Sequence, residues 1–331
     1  MDRILHSVAQ FGLNPPFTVE KVPSGLIHKT FLVHAREGEF VIQELHKVVR
    51  PETCEDAKAI TDYVRSQGIP VPEFLVTHQG KPWHRAADGS LWRVMLRLPG
   101  TSHDTVSSPA EAYAAAQFLG KFHGVFAHFS YKFRGTIPHF HDTPHIFEQF
   151  KNALNANKTT LLFAPASSDV AYILAHAPKE FLPPDLPSQI IHGDPKISNF
   201  LFHDTRIMGL IDFDTCMNHT KLVDIGDALR SWCNRGGEDA QATFDRSLYE
   251  AALEGYTSAG VVGATERALV PQAFLLITIE LAMRFLQDYF EDSYFRWDAA
   301  RFANRREHNL ARARNQIELH RQITEYIHTP I

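Results

Sequence analysis

Between residues 17 and 45 the chain alternates short β-rich segments with turn residues: FTVEKV, PSGLIHK, TFLVHA, REGE and FVIQEL. That order predicts strand, loop, strand, turn, strand. From Pro51 the period lengthens. In PETCEDAKAITDYVRSQG the apolar positions Ala57, Ile60 and Val64 fall at helical intervals before Gly68 stops the run, so a helix follows the third strand. PEFLVT and a turn come next, and LWRVMLRLPGT reads as a last strand leading through Pro99-Gly100 into a linker. A first domain over residues 1–100 is expected. In SSPAEAYAAAQFLGKFHGVF, Ser108 takes the N-cap, Pro109 the first helical position and Glu111 completes a capping box. A second domain, 101–331, is then mostly helical apart from a strand pair around residue 200. Its tail, NRREHNLARARNQIELHRQI, sets Leu310, Ala313 and Ile317 on one face with arginines opposite, the pattern of a surface helix.

Composition narrows the partners. With 331 residues and 44% hydrophobic content the chain builds a proper core. A net charge of -5, a pI near 6.4 and no block of five or more like charges argue against a surface selected for nucleic-acid phosphates or anionic lipid. Neither nucleic acid nor a membrane is expected as a partner. The three cysteines, Cys54, Cys216 and Cys233, form no Cys-x-x-Cys pair and fit inert thiols in a reducing compartment. The opening MDRILHSVAQFGLNPPF lacks a charged-then-apolar leader pattern, and the apolar run AFLLITIELAM is broken by Glu280 and followed by Arg284. A soluble, cytoplasmic protein is expected.

The chemistry concentrates in QIIHGDPKISNFLFHDT, where Asp194, Lys196 and Asn199 stand between apolar runs, and in MGLIDFDT, with Asp212 and Asp214. A lone HGDP is an ordinary turn. Three polar residues at fixed offsets, followed by LIDFD after a hairpin-length gap, are not. The D-x-K-x-x-N spacing resembles the catalytic loop of protein kinases, and the step from Asp194 to Asp212 resembles the step to their metal-binding aspartate. Phosphoryl transfer leaves a protein mainly positioning and charge neutralisation to do. The resemblance thus implies Asp194 facing an acceptor hydroxyl, Lys196 offsetting charge on the transferred group, and Asn199 and Asp212 offering hard oxygen donors to Mg²⁺ on ATP.

Downstream the protein-kinase pattern fails: nine residues separate Asp214 from Asp224, no A-P-E follows, and the first lobe has no G-x-G-x-x-G. The chain instead resembles the aminoglycoside phosphotransferase and choline kinase-like group. Within it, GLIHKTFLV, HFHDTPHIFEQFKNAL, MRFLQDYFEDSYF and EHNLARARNQIEL are most similar to bacterial N-acetylhexosamine 1-kinases. That resemblance implies an α+β, two-lobed protein-kinase-like fold, with a small β-rich N-lobe and a larger, mostly helical C-lobe. It also implies transfer of the ATP γ-phosphate to the anomeric hydroxyl of an N-acetylhexosamine. Other small alcohols of the hexosamine, aminoglycoside, choline or homoserine type are alternative acceptors, and a catalytically silent binding module is another reading.

Several positions are less settled. Gln43 stands where many phosphotransferases carry a strand lysine, leaving Lys29 or Lys196 to supply the cation; Gly25 alone lets backbone approach phosphate. Asp214 is either a second metal ligand or a solvated loop residue. Asp224 and Asp227 read as helix caps, and by resemblance Asp224 braces the catalytic loop. His28 is either a solvent-facing loop histidine or, by resemblance, a sugar ligand. Arg284 either pairs with Glu280 one turn away or, by resemblance, binds the substrate. HFHDTPH offers His139, His141, Asp142 and His145 as zinc ligands, a metal-hydrolase rival whose spacing matches no H-E-x-x-H pattern. No Walker-type G-x-x-x-x-G-K-[ST] occurs.

Overall fold

The alternating segments pair as strands and the longer-period stretches form helices in the computed structural model, which describes residues 2–22 and 28–329. The strands are β1 (Phe17–Lys21), β2 (Lys29–Ala35), β3 (Gly38–Glu44), β4 (His84–Arg85), β5 (Leu91–Leu96), β6 (Thr101–Ser102), β7 (Gln189–Ile191), β8 (Phe200–His203), β9 (Arg206–Leu210) and β10 (Met217–His219). The helices are α1 (Asp2–Ala9), α2 (Pro51–Ser66), α3 (Pro109–Gly124), α4 (Thr143–Asn157), α5 (Phe163–His176), α6 (Lys221–Trp232), α7 (Arg246–Ser258), α8 (Ala264–Glu291) and α9 (Arg305–His328). The fold is therefore α+β, a β-sheet in the N-terminal region and helices in the C-terminal region. Two compact units divide it. One holds Met1–Thr101, Phe129–Ile137 and Phe200–Met217; the other holds Ser102–His128, Pro138–Asn199 and Asn218–Ile331.

In the first unit five antiparallel strands lie in the order β1-β2-β3-β5-β4. Their alternation buries Val33, Phe40, Ile42, Trp92 and Val94 against Ile4, Val8 and Phe11, so α1 and the residues after it close one face of the sheet. The stretch around Phe74 runs along β5 without becoming a full strand: Pro70 and Pro72 lack the N–H a ladder needs, and pairing begins only with the Phe74–Met95 bridge. The helical period read from Ala57, Ile60 and Val64 is met by α2, which buries all three. Asp56 on α2 accepts hydrogen bonds from Tyr131 Oη (2.9 Å), Arg134 N (2.8 Å) and Gly135 N (2.6 Å), which ties residues 129–137 to this unit.

The second unit is organised around α8. It is 28 residues long and apolar enough by composition to cross a membrane, yet 72% of its apolar window is buried inside the structure. Ile279, Ala282, Met283, Phe285 and Leu286 pack with Phe150 of α4, Ile173 of α5 and Ala313 and Ile317 of α9. Half of the capping box expected on α3 forms: Ser108 Oγ accepts from Glu111 N (3.3 Å), but the Glu111 carboxylate accepts from Ser107 N (2.7 Å), one residue before the N-cap, instead of from Ser108 N. Gly226 lets α6 lie against α8, since a Cβ there would stand 2.5 Å from the carbonyl oxygen of Ala273.

Candidate active site

The second unit carries the loop after β7. Ile190 and Ile191 are buried, and the chain then turns through Gly193 (φ +84°), a left-handed conformation suited to glycine. The backbone N–H groups of His192 and Gly193 donate to the two oxygens of Asp224 on α6, each at 2.7 Å, and His123 Nε2 lies 2.9 Å from the same carboxylate. Burial works to raise the Asp224 carboxyl, but the hydrogen bond from His123 and these N–H donors hold it below the usual range. Asp224 thus acts on the loop rather than as a mere cap. On the other side of the loop, His141 Nε2 donates to Gly193 O (2.9 Å) and its Nδ1 to Glu280 Oε1 (2.8 Å), while Thr143 Oγ1 donates to Glu280 Oε2. Both ring nitrogens face acceptors, which only an imidazolium satisfies. Burial opposes that charge, yet Glu280 raises the His141 value, and His141 lowers that of Glu280.

Within this frame the sequence-singled residues come together. Lys196 Nζ donates to Asp194 Oδ2, and Asn199 Nδ2 donates to Asp194 O at 2.7 Å. With its amide nitrogen held, Asn199 leaves Oδ1 without a hydrogen-bond partner among the described residues. Trp232 Nε1 donates to Pro195 O (3.0 Å) and fixes the middle of the loop. Arg284 does not pair with Glu280, whose carboxylate is taken by His141 and Thr143. Its guanidinium lies instead over Phe140 (5.2 Å) and Phe295 (5.6 Å). Of HFHDTPH, the buried His141 serves the loop. His139, Asp142 and His145 cluster with potential ligand atoms within 4.8 Å of one another, Asp142 also capping α4.

The first unit carries the second group. After β9 the chain passes through Asp212 (φ +70°, ψ 68°) into a short 3-10 turn, Phe213–Thr215. Asp214 is almost fully buried there and is held by Arg93, whose Nη2 donates to Oδ2 at 3.1 Å and whose Nη1 donates to Oδ1. His28 Nε2 donates to the same Oδ2 at 2.9 Å, because its Nδ1 already accepts from His46 N (3.2 Å). Burial favours the protonated acid, but the Arg93 charge and the His28 hydrogen bond hold the Asp214 carboxyl well below the ordinary range. Gln43 accepts from Arg93 Nε at 2.8 Å. Lys29 pairs with Glu44 (3.0 Å), so the cation beside Gln43 is Arg93, a residue the pattern of LWRVMLRLPGT did not single out. Only β-pairing, which sets Gln43 opposite Arg93, reveals it. One ligand atom each of His28, Asp212 and Asp214 lies within 4.8 Å of the others. Asp212 makes no side-chain hydrogen bond among the described residues. Gly25 lies outside the described residues.

These donor sets suit Mg²⁺, which takes few protein oxygens and leaves the rest to water and phosphate. Carboxylate and amide oxygens are offered, and the Cys54 thiol beside Arg93 is pushed up to about 12 by burial, so it stays protonated and does not favour a softer ion.

The family model for the phosphotransferase enzyme family, APH, matches residues 18–260. This chain belongs to that family. The phosphotransferase is 24% identical to a homoserine kinase of Zymomonas mobilis, over 81% of this chain and 79% of the relative. A second homoserine kinase, from Phenylobacterium zucineum, is 25% identical over 82% and 80%. Among solved structures, a microcompartment-associated aminopropanol kinase shares the fold with TM-score 0.69 at 15% identity, covering 98% of each chain. The expected fold and the wider family are thereby shown, and the protein is a small-molecule phosphotransferase with an alcohol acceptor.

Proposed function

We propose that this phosphotransferase moves the γ-phosphate of ATP, with Mg²⁺, to the anomeric hydroxyl of an N-acetylhexosamine. The observation that carries phosphoryl transfer is the single loop in which Asp194, Lys196 and Asn199 are hydrogen-bonded together on a base of Asp224, His141 and Trp232. Asp194 orients the acceptor hydroxyl and takes its proton. An anomeric hydroxyl is a stronger acid than an ordinary alcohol, so a carboxylate suffices. Lys196 offsets charge on the transferred group, and Asn199 and Asp212 hold the metal. When bound, Mg²⁺ neutralises the phosphate oxygens. Asp214, taken up by Arg93 and His28, braces Asp212, while Gln43 and Gly25 belong to the nucleotide side.

For the acceptor, support comes from the resemblance of the motifs given above, with Arg284, whose guanidinium lies over Phe140 and Phe295, assigned to the sugar's oxygens. A second reading, homoserine as acceptor, is favoured by the names of the two bacterial relatives. ADP release measured side by side with N-acetylglucosamine, N-acetylgalactosamine, glucosamine, glucose, homoserine and choline separates them. The sugar reading predicts the highest kcat/KM for an N-acetylated hexosamine; a clear preference for homoserine overturns it.

A further inference from the structure

A kinase strand lysine gives its site a fixed positive charge, and Gln43 gives none. The structure has a buried cation next door. Gln43 of β3 and Arg93 of β5 are register partners, and their side chains meet, Arg93 Nε donating to Gln43 Oε1 at 2.8 Å. Arg93 is 2% exposed and lies over the Phe74 ring. A guanidinium buried this far has to keep its carboxylate, and both Asp214 oxygens are bound to it. The pair therefore fastens the turn after β9 to the sheet. Two residues before Asp214, Asp212 holds a left-handed backbone that a non-glycine residue keeps only when its surroundings impose it.

We propose that Arg93, next to the strand position where a kinase lysine is absent, acts as a positioning residue for the metal-binding turn. Through its paired hydrogen bonds to Asp214 it locks the turn so that the Asp212 carboxylate stays turned to magnesium. Its burial and its engagement with Gln43 and Asp214 leave it little reach for a direct phosphate contact. The inference rests on the kinase reading above. It also explains Gln43: a lysine there would set an ammonium against the guanidinium and remove the acceptor for Arg93 Nε.

The test is Mn²⁺ binding in the presence of a non-hydrolysable ATP analogue, read from loss of the free-ion EPR signal, alongside kcat and acceptor KM. Thermal melts of each variant confirm folding. Arg93→Lys keeps a charge but loses the fork; it is expected to weaken Mn²⁺ binding by about 10- to 100-fold and to lower kcat, with acceptor KM within about threefold. Gln43→Lys alone is expected to weaken binding, and Gln43→Lys combined with Arg93→Met to recover part of what Arg93→Met loses. Arg93→Met with Asp214→Asn removes both buried charges, so it folds even where Arg93→Met does not, and it too is expected to bind Mn²⁺ weakly. Normal Mn²⁺ affinity and kcat in Arg93→Lys, or a gain of binding in Gln43→Lys, overturns the proposal alone. Failure of the wild-type protein to bind Mn²⁺ with nucleotide overturns the kinase reading and this proposal together.

Discussion

Asp224 shows how a residue that reads as a helix cap can instead hold a loop. Its two oxygens take the N–H groups of His192 and Gly193, and His123 shares one of them, all within a buried pocket. Removing it leaves these donors without an acceptor, so Asp224→Ala is expected to lower stability by about 3–5 kcal/mol in urea unfolding. The His141–Glu280 pair makes a pH-dependent contribution, with Asp227 adding to the charge that raises His141 and Arg284 opposing it. His141 titrates above its ordinary 6.5 in the folded chain, so its share of stability is full below that pH and is lost as pH rises through the raised value. Glu280 titrates below its ordinary 4.5, so its share is present above that pH and is lost on acidification. The Tm difference between wild type and Glu280→Gln is therefore expected to be largest between these two values and to shrink toward both acid and alkaline pH; a difference that keeps growing from neutral to alkaline pH contradicts the ion pair. That Asp194, Lys196 and Asn199 meet is legible because their spacing is local. The role of Arg93 is not, because it depends on a strand partner fifty positions away in sequence.

At the scale of elements, periodicity identified α2 and the α3 cap because both signals lie within a few residues. α1 carries no legible period, its eight residues being too short to show one. α9 looked like a surface helix from Leu310, Ala313 and Ile317, and Ala313 and Ile317 are indeed buried against α8. It also buries Asn309, Asn315, Gln316 and His320, polar residues whose type alone assigns them to solvent. Asn309 Nδ2 donates to Asp288 (2.7 Å) and Asn315 Nδ2 to Gly237 O (3.0 Å), partnerships that no periodicity reveals. α6 couples packing to the site, since it carries both Gly226 and Asp224. Gly226→Val drives a side chain into the Ala273 carbonyl. It is expected to cost about 1–3 kcal/mol in urea unfolding and to lower kcat more than it changes acceptor KM, because the displaced helix carries Asp224 with it.

For the molecule as a whole, one family spans most of the chain and the same α+β fold recurs in structures of 15% identity. The fold thus persists at low identity, whereas the proposed choice of acceptor rests on a few side chains such as Arg284. Mg²⁺, which favours few protein ligands and completes its shell with phosphate and water, is expected to enter with the nucleotide, so chelation with EDTA is expected to abolish phosphate transfer, reversibly on adding Mg²⁺, while leaving the nucleotide-free melting curve unchanged. The central claim is that the Asp194 loop drives phosphate onto the anomeric oxygen of an N-acetylated sugar. ³¹P NMR of the products from a mixture of N-acetylglucosamine and homoserine tests it most directly. The account predicts a sugar phosphate coupled to the anomeric proton, and formation slowed about 10²- to 10⁴-fold in Asp194→Asn with nucleotide binding retained. Phosphate found only on homoserine, or an Asp194→Asn variant as fast as wild type, contradicts it.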